Sequence, residues 1–239
     1  MQGGFQGTVT YETFHAKRTW RAKVARETES RPVRTRRAAT NAKGEPLKQD
    51  RAARTRESVL EAAAEAFAAK GFPEVTVLDV AERAGLTKGA VYFHFANKDA
   101  LAVAVAQEFY GRVGEVTEAL RRENRTPLDR AIEFVRRNAV LFRDDPVIQA
   151  GARLQIERRY IDSSLPTPYV GALEALTEFL TGAEEEDQLS PGADPEVLAR
   201  VLLSAFFGAQ HMSWVLNDRK DLVERAEETL QCLFPGHRS

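Results

Sequence analysis

Lys88 carries the most pointed chemistry in this chain, standing between Thr87 and Gly89 in the run from Thr76 to Lys98, TVLDVAERAGLTKGAVYFHFANK. An ammonium at the first position of an exposed helix can reach the acceptors of a guanine edge in the DNA major groove. The plainer alternative is a solvated surface lysine. Thr87 can cap that helix, touch a phosphate, or do both, and Gly89 lets a backbone come close. Tyr92, His94 and Lys98 follow at spacings suited to phosphate contact, which sets register without carrying sequence information. Packing is the alternative for Tyr92 and His94, and Phe93 and Phe95 are read as packing residues. Arg51, Arg54 and Arg56 open the helix before, within reach of a DNA backbone or minor groove; at least one of them is read as merely solvated.

Short helices must hold these groups in place. Val77, Val80 and Ala81 recur at helical spacing behind Thr76, and Asp79 stands three residues after it, the pattern of an N-cap with an acidic partner. Thr76 is counted with the DNA-contacting set as well. Gly85 ends that helix, since glycine enters the left-handed conformation at little cost. Thr87 caps a second short helix, Lys88 to about Phe93. Two short helices about a tight glycine turn make a helix-turn-helix, whose second helix can enter the major groove. Before it, a helix over 50–70 has Val59, Leu60, Ala63, Ala66 and Phe67 as its inner stripe. After it, Asn97 caps a long helix to about Asn124, lined by Leu101, Val105, Phe109 and Val113.

The run VAERAGLTKGAVYFHFANKDAL, preceded by RTRESVLEAAAEAFAAKGF, resembles the DNA-binding domain of the tetracycline-repressor (TetR) family. Thr87-Lys88-Gly89 and Tyr92 to Phe95 are most similar to the γ-butyrolactone-type signal receptors of that family. GARLQIERR, PTPYV and SAFFGAQHMSWVL carry a weaker similarity into the family's ligand-binding half. The resemblance implies a homodimeric repressor on a near-palindromic double-stranded DNA operator, released by a small diffusible effector. Receptors of that branch place a tryptophan soon after the Pro-aromatic helix start, where this chain has Ala172. A butenolide or furan-type signal is therefore as reasonable as a γ-butyrolactone.

Charge is distributed in keeping with one end on nucleic acid. Residues 1–47 carry ten Lys/Arg against four Asp/Glu, 48–100 eight of each, and 101–239 sixteen against twenty-three, within a net charge of −1. Residues 1–47 lack apolar periodicity and read as a basic, disordered tail, 48–97 as the DNA-binding domain, and 98–239 as the ligand-binding and dimerisation domain. Apolar runs fall short of the ~20 residues a membrane span needs, and the start has no signal-peptide core, so the expectation is cytoplasmic. The lone Cys232 excludes an internal disulfide and a cysteine-rich metal site. No HExxH, nucleophile elbow or phosphate-cradling glycine loop appears, and neither enzyme, metal nor cofactor is expected.

Thr126-Pro127, Asp145-Pro146 and Asp194-Pro195 each place proline at the first helical position, where it costs no hydrogen bond. They predict helices over 127–143, 146–160 and 195–216. Others follow over 168–183 and 219–234, so the fold class is all-α. Gln155, Tyr110 and Tyr169 are polar groups on apolar faces, either core residues satisfied by their neighbours or the few placed polar groups of a small-molecule cavity. The resemblance favours the cavity. Trp214 joins them if it faces that space. Phe206 and Phe207, with Leu230 on the last helix, are read as half of a four-helix dimer interface, core packing being the alternative for each. Two rival readings keep the helices and change the use: a regulator answering a drug or metabolite, and a helical binding protein without DNA binding.

Overall fold

The computed structural model describes residues 47–162 and 165–236. The chain divides into two units between Asp50 and Arg51. Only the start of one helix represents the first, and the account concerns the second. The tail assigned to 1–47 lies almost wholly outside the described residues. These are helical throughout, with no strand among them. In chain order the helices are α1 (Leu47–Lys70), α2 (Val77–Arg83), α3 (Lys88–His94), α4 (Lys98–Arg122), α5 (Pro127–Asp144), α6 (Pro146–Ile156), α7 (Val170–Glu185), α8 (Pro195–Asn217) and α9 (Leu222–Leu233), with a 3₁₀ turn at Arg158–Tyr160.

Side-chain caps start most of these helices where the sequence says. Thr76 and Asp79 form a reciprocal capping box on α2, the Thr76 amide donating to Asp79 Oδ2 at 2.8 Å. The Ala90 amide donates to Thr87 Oγ1 at 3.2 Å and the Ala100 amide to Asn97 Oδ1 at 2.8 Å. Thr126, Asp145 and Asp194 cap α5, α6 and α8 ahead of their prolines. Gly71 and Gly85 take φ of +82° and +65° just past α1 and α2. Several ends differ from expectation by two to four residues, and two of them have a local cause. Helix α6 stops at Ile156, not 160, because Glu157 turns its carboxylate onto the Phe72 amide at 2.6 Å. Helix α9 begins at Leu222 because Asp218 and Arg219 both adopt left-handed backbone.

The apolar residues gather into two cores. Val59, Phe67, Val80 and Val91 build the first around α1 to α3, and Ile132, Phe142, Leu176 and Leu202 belong to the second around α5 to α9. Helix α4 enters both, through Leu101 and Val105 in the first and Phe109 and Leu120 in the second. Helix α6 does the same, through Ala150 and Leu154, then Ile148 and Ala152. The pair pack tightly at Gly151, where a side chain would strike Phe109. No helix of the described residues is long and apolar enough to cross a membrane.

Candidate functional site

Helix α3 is seven residues long and buries one of them, Val91, which anchors it to the first core. That leaves Thr87, Lys88, Gly89 and Tyr92 on the outside. The Lys88 ammonium lies 5.7 Å from the Tyr92 ring centroid, one helical turn on, so the two groups share a face. Among the described residues no carboxylate pairs with Lys88, which leaves its ammonium free to face a groove. His94 is half-buried, with its ring edge-on to Phe93 at 5.1 Å. Phe93 itself corrects the sequence reading: it is 81% exposed instead of packed. A bare aromatic ring on this face offers apolar contact of the kind a thymine methyl takes. The signal was available in the seven-residue length, which lets one position in the middle point inward.

The remaining candidates of this end are spread more widely. Lys98 donates to the Phe72 and Pro73 carbonyls at 2.8 and 3.4 Å, and lies 4.3 Å from the Phe72 ring centroid. Its main bonds therefore fasten α4 to the loop before α2. Arg56 stacks its guanidinium 5.0 Å from the Phe95 ring centroid, while Arg51 and Arg54 are exposed on the first turns of α1. The Thr76 hydroxyl is taken up by its capping box with Asp79, whose carboxyl Lys70 and Thr76 together hold well below the usual carboxylate range.

Beside the second core the structure joins two of the predicted polar groups, Tyr110 and Gln155, while Tyr169 is exposed. The Tyr110 hydroxyl donates to Gln155 Oε1 at 3.3 Å, and Gln155 Nε2 donates to the Gly151 carbonyl at 3.4 Å. Both bonds sit at the long end of hydrogen-bond geometry, so an incoming polar group can replace them at little cost. Burial pushes the Tyr110 phenol up to about 12, with Tyr169 adding to the rise and Arg158 opposing it. The phenol is thus a permanent donor. Tyr169 opens α7 from a left-handed backbone, φ 67°, and packs its ring 4.6 Å from that of Phe207. Phe207 packs on Phe142 at 5.7 Å, Phe142 on Phe109 at 5.9 Å, and Phe109 on Tyr110 at 5.0 Å. A string of aromatic edges therefore joins the two tyrosines.

Trp214 belongs elsewhere. Its ring lies between the guanidinium groups of Arg153 and Arg219, at 5.4 and 4.9 Å, with His211 edge-on at 5.9 Å. Phe206, Phe207 and Leu230 also need correction. Phe206 and Leu230 are 5% and 3% exposed inside this chain's own core, and Phe207 is half-buried against it. Side chains already covered have little surface left for a second copy. The unpartnered apolar face of α8 is the opposite one, where Val197, Val201, Met212 and Val215 are 44 to 63% exposed. At 100° per residue, Val197 and Val215 lie half a revolution from Phe206. Among the described residues no His, Cys, Asp and Glu stand grouped to hold a metal ion.

The sequence signature of the tetR family of bacterial regulatory proteins matches residues 59–105, which span the second half of α1, the two short helices and the start of α4. The A-factor receptor protein of Streptomyces griseus is 31% identical over 189 residues, covering 79% of this chain and 66% of that protein. Of the solved structures, one described as the molecular basis for control of antibiotic production by bacterial hormones is 49% identical. It superimposes with a TM-score of 0.72, covering 78% of this chain and 98% of that one. A γ-butyrolactone receptor described as ArpA-like is 27% identical with a TM-score of 0.62, covering 77% and 99% respectively.

Proposed function

The chain belongs to the TetR family of bacterial regulatory proteins, and from that premise we propose that it is a DNA-binding repressor released from its operator by a small diffusible signal of lactone, butenolide or furan type. One observation carries the reading. Helices α4 and α6 each belong to both cores, and they bear the Tyr110–Gln155 pair at the site where a signal would bind. A ligand can shift an equilibrium only by its differential affinity for the two states. Replacing the long Tyr110–Gln155 bond with better ones favours whichever placement of α4 and α6 accommodates the ligand. Both helices reach the core that seats α3, so the reading head moves with them. The chain acts as a regulator in the cytoplasm and not as a catalyst. Gel-shift with genomic fragments, followed by release with culture extracts, tests the whole reading. A chain that retards no fragment would leave it without a basis.

At the reading head, Thr87, Lys88, Gly89 and Tyr92 face the DNA, with Lys88 on a base edge and Tyr92 and His94 near phosphates. Phe93 adds apolar contact beside them. Lys88→Ala should weaken operator binding by about 1–3 kcal/mol, the worth of a base contact. Random DNA should suffer much less. Equal losses on both would mean that Lys88 touches only phosphate.

The family resemblance calls for a homodimer on a near-palindromic site, with recognition helices about 34–36 Å apart. The α8 face bearing Val197, Val201, Met212 and Val215 is the surface we assign to it. Paired Val201→Glu and Val215→Glu changes should turn a dimer into a folded monomer in sedimentation at micromolar concentration. A variant that remains dimeric would move the interface to another face.

A further inference from the structure

Helix α8 packs along α5, α7 and α9. Near its end, Trp214 reaches past them to α6, where the Arg153 guanidinium lies 5.4 Å from the centroid of its ring. Arg153 is already engaged in its own plane. Its Nε donates to Glu157 Oε1, its Nη1 to the Ala68 and Ala69 carbonyls, and its Nη2 to that of Lys70. A guanidinium bonded in this way keeps only its faces free, and a face is what an aromatic ring takes. The stacking and the hydrogen bonds therefore do not compete.

The contact continues into the reading head. The three carbonyls are the last of α1, and Lys70 Nζ donates to Asp79 Oδ1 at 2.7 Å, within the capping box that starts α2. A series of contacts thus runs from Trp214 through Arg153 and the end of α1 to the first helix of the helix-turn-helix. It involves neither α4 nor the Tyr110–Gln155 pair. Arg219 approaches the same indole at 4.9 Å, is 5% exposed, and has no hydrogen-bond partner for its Nε. Burial pulls its guanidinium below the usual arginine range, Asp218 opposing the fall and Arg153 adding to it. Two like charges share one ring, whose quadrupole attracts both where they would otherwise only repel each other.

We propose that Trp214 is a positioning residue for operator binding: held on Arg153, it ties the end of α1 to α8 and so fixes the separation at which a dimer presents its two recognition helices. This rests on the reading given above, in which α8 carries the dimer face and α3 reads the operator. Val215 follows Trp214 directly and is 63% exposed on the assigned dimer face. The same turn of α8 therefore bears the interface on one side and the hold on the reading head on the other. With that hold intact, half-sites one base pair too far apart, a shift of about 3.4 Å and about 34°, must strain the protein or the DNA. With the hold loosened, the head can follow the displaced half-site.

The test measures affinity by gel-shift on the operator recovered from genomic fragments, and on versions with one base pair added or removed between its half-sites. The parent should prefer the native spacing. Trp214→Leu keeps an apolar side chain without a π face, and should shrink that preference by roughly three- to tenfold, the worth of a partly exposed cation–π contact. Trp214→Phe keeps an aromatic face and should retain most of the preference. Arg153→Lys keeps the charge but loses the planar face. It should relax the spacing as the leucine variant does, and it decides the matter if that variant does not fold. An unchanged preference in Trp214→Leu or Arg153→Lys would overturn the assignment. So would equal losses on all three operators, the mark of a general loss of stability, or equal effects of phenylalanine and leucine, the mark of filled volume alone. A Trp214→Leu monomer in sedimentation would also overturn it, by placing the indole in the dimer face itself. A parent that binds without regard to spacing would remove the positioning role and leave the proposed function standing. A parent that retards no DNA would remove both.

Discussion

Gly151→Ala should lower the stability of this protein by about 3 kcal/mol, at the upper end of what one added methyl group costs in a packed core. Gly151 is buried in the middle of α6, where that helix crosses α4. A methyl group there would fall inside the van der Waals shell of Phe109, against its Cβ and the first atoms of its ring. These atoms lie close to the α4 backbone and cannot swing aside as the end of a long side chain would. The Phe109 ring is also held edge-on by Tyr110 at 5.0 Å and Phe142 at 5.9 Å. Relief therefore requires α4 and α6 to separate. Separation loosens the packing of both helices and stretches the Tyr110–Gln155 bond, already 3.3 Å long. Urea denaturation should show a lower midpoint with an unchanged slope. A variant as stable as its parent would mean that Phe109 has another rotamer open to it and that the two helices do not bear on each other here.

Much of this architecture is written in local chemistry. Thr76 with Asp79, Thr87, Asn97 and the three proline-marked starts each announce a helix through groups within four residues of one another. Such signals survive folding because the partners are already neighbours in the chain. Tyr110, Gln155 and Tyr169 stand out in the sequence as polar residues in apolar company, and the structure joins the first two by a hydrogen bond while Tyr169 packs on Phe207 instead. What the sequence withheld depends on partners far along the chain. The end of α6 at Ile156 follows from Glu157 meeting an amide 85 residues earlier. Phe206 looks as available to a second copy as Val201 does, because α8 is apolar on two faces and only the packing of α5, α7 and α9 against one of them decides between the two. Trp214 joins the cavity residues only if it faces their space, which local spacing does not decide. Two arginines, one of them 61 residues away, claim it instead.

Arg153→Ala should remove the principal fastening between the end of α1 and the last turn of α6. The last carbonyls of any helix lack partners within it. Here Arg153 supplies them, Nη1 donating to the Ala68 and Ala69 carbonyls at 3.1 Å each and Nη2 to that of Lys70 at 3.0 Å. Its Nε donates to Glu157 Oε1 at 2.9 Å, while Glu157 Oε2 accepts from the Phe72 amide. Gly71 sits directly under this pair with φ of +82°, and a side chain on it would come within 2.5 to 2.8 Å of both groups. The Arg153–Glu157 pair is one-fifth exposed or less on each side, enough for solvent to temper the loss. Removing the arginine strands three carbonyls and a carboxylate, so the expected cost is about 2–4 kcal/mol, below the upper range for a fully buried pair. Glu157→Gln keeps the geometry and should cost about 1 kcal/mol, the net worth of a hydrogen bond in place of an ion pair. Hydrogen exchange separates a local effect from a general one. The Phe72 amide should lose most of its protection in Arg153→Ala and part of it in Glu157→Gln, while amides in the middle of α5 change only by the global loss of stability. If Phe72 stays protected in Arg153→Ala, the loop after α1 is held by Lys98 alone, and the arginine is a surface residue that happens to lie across the helix end.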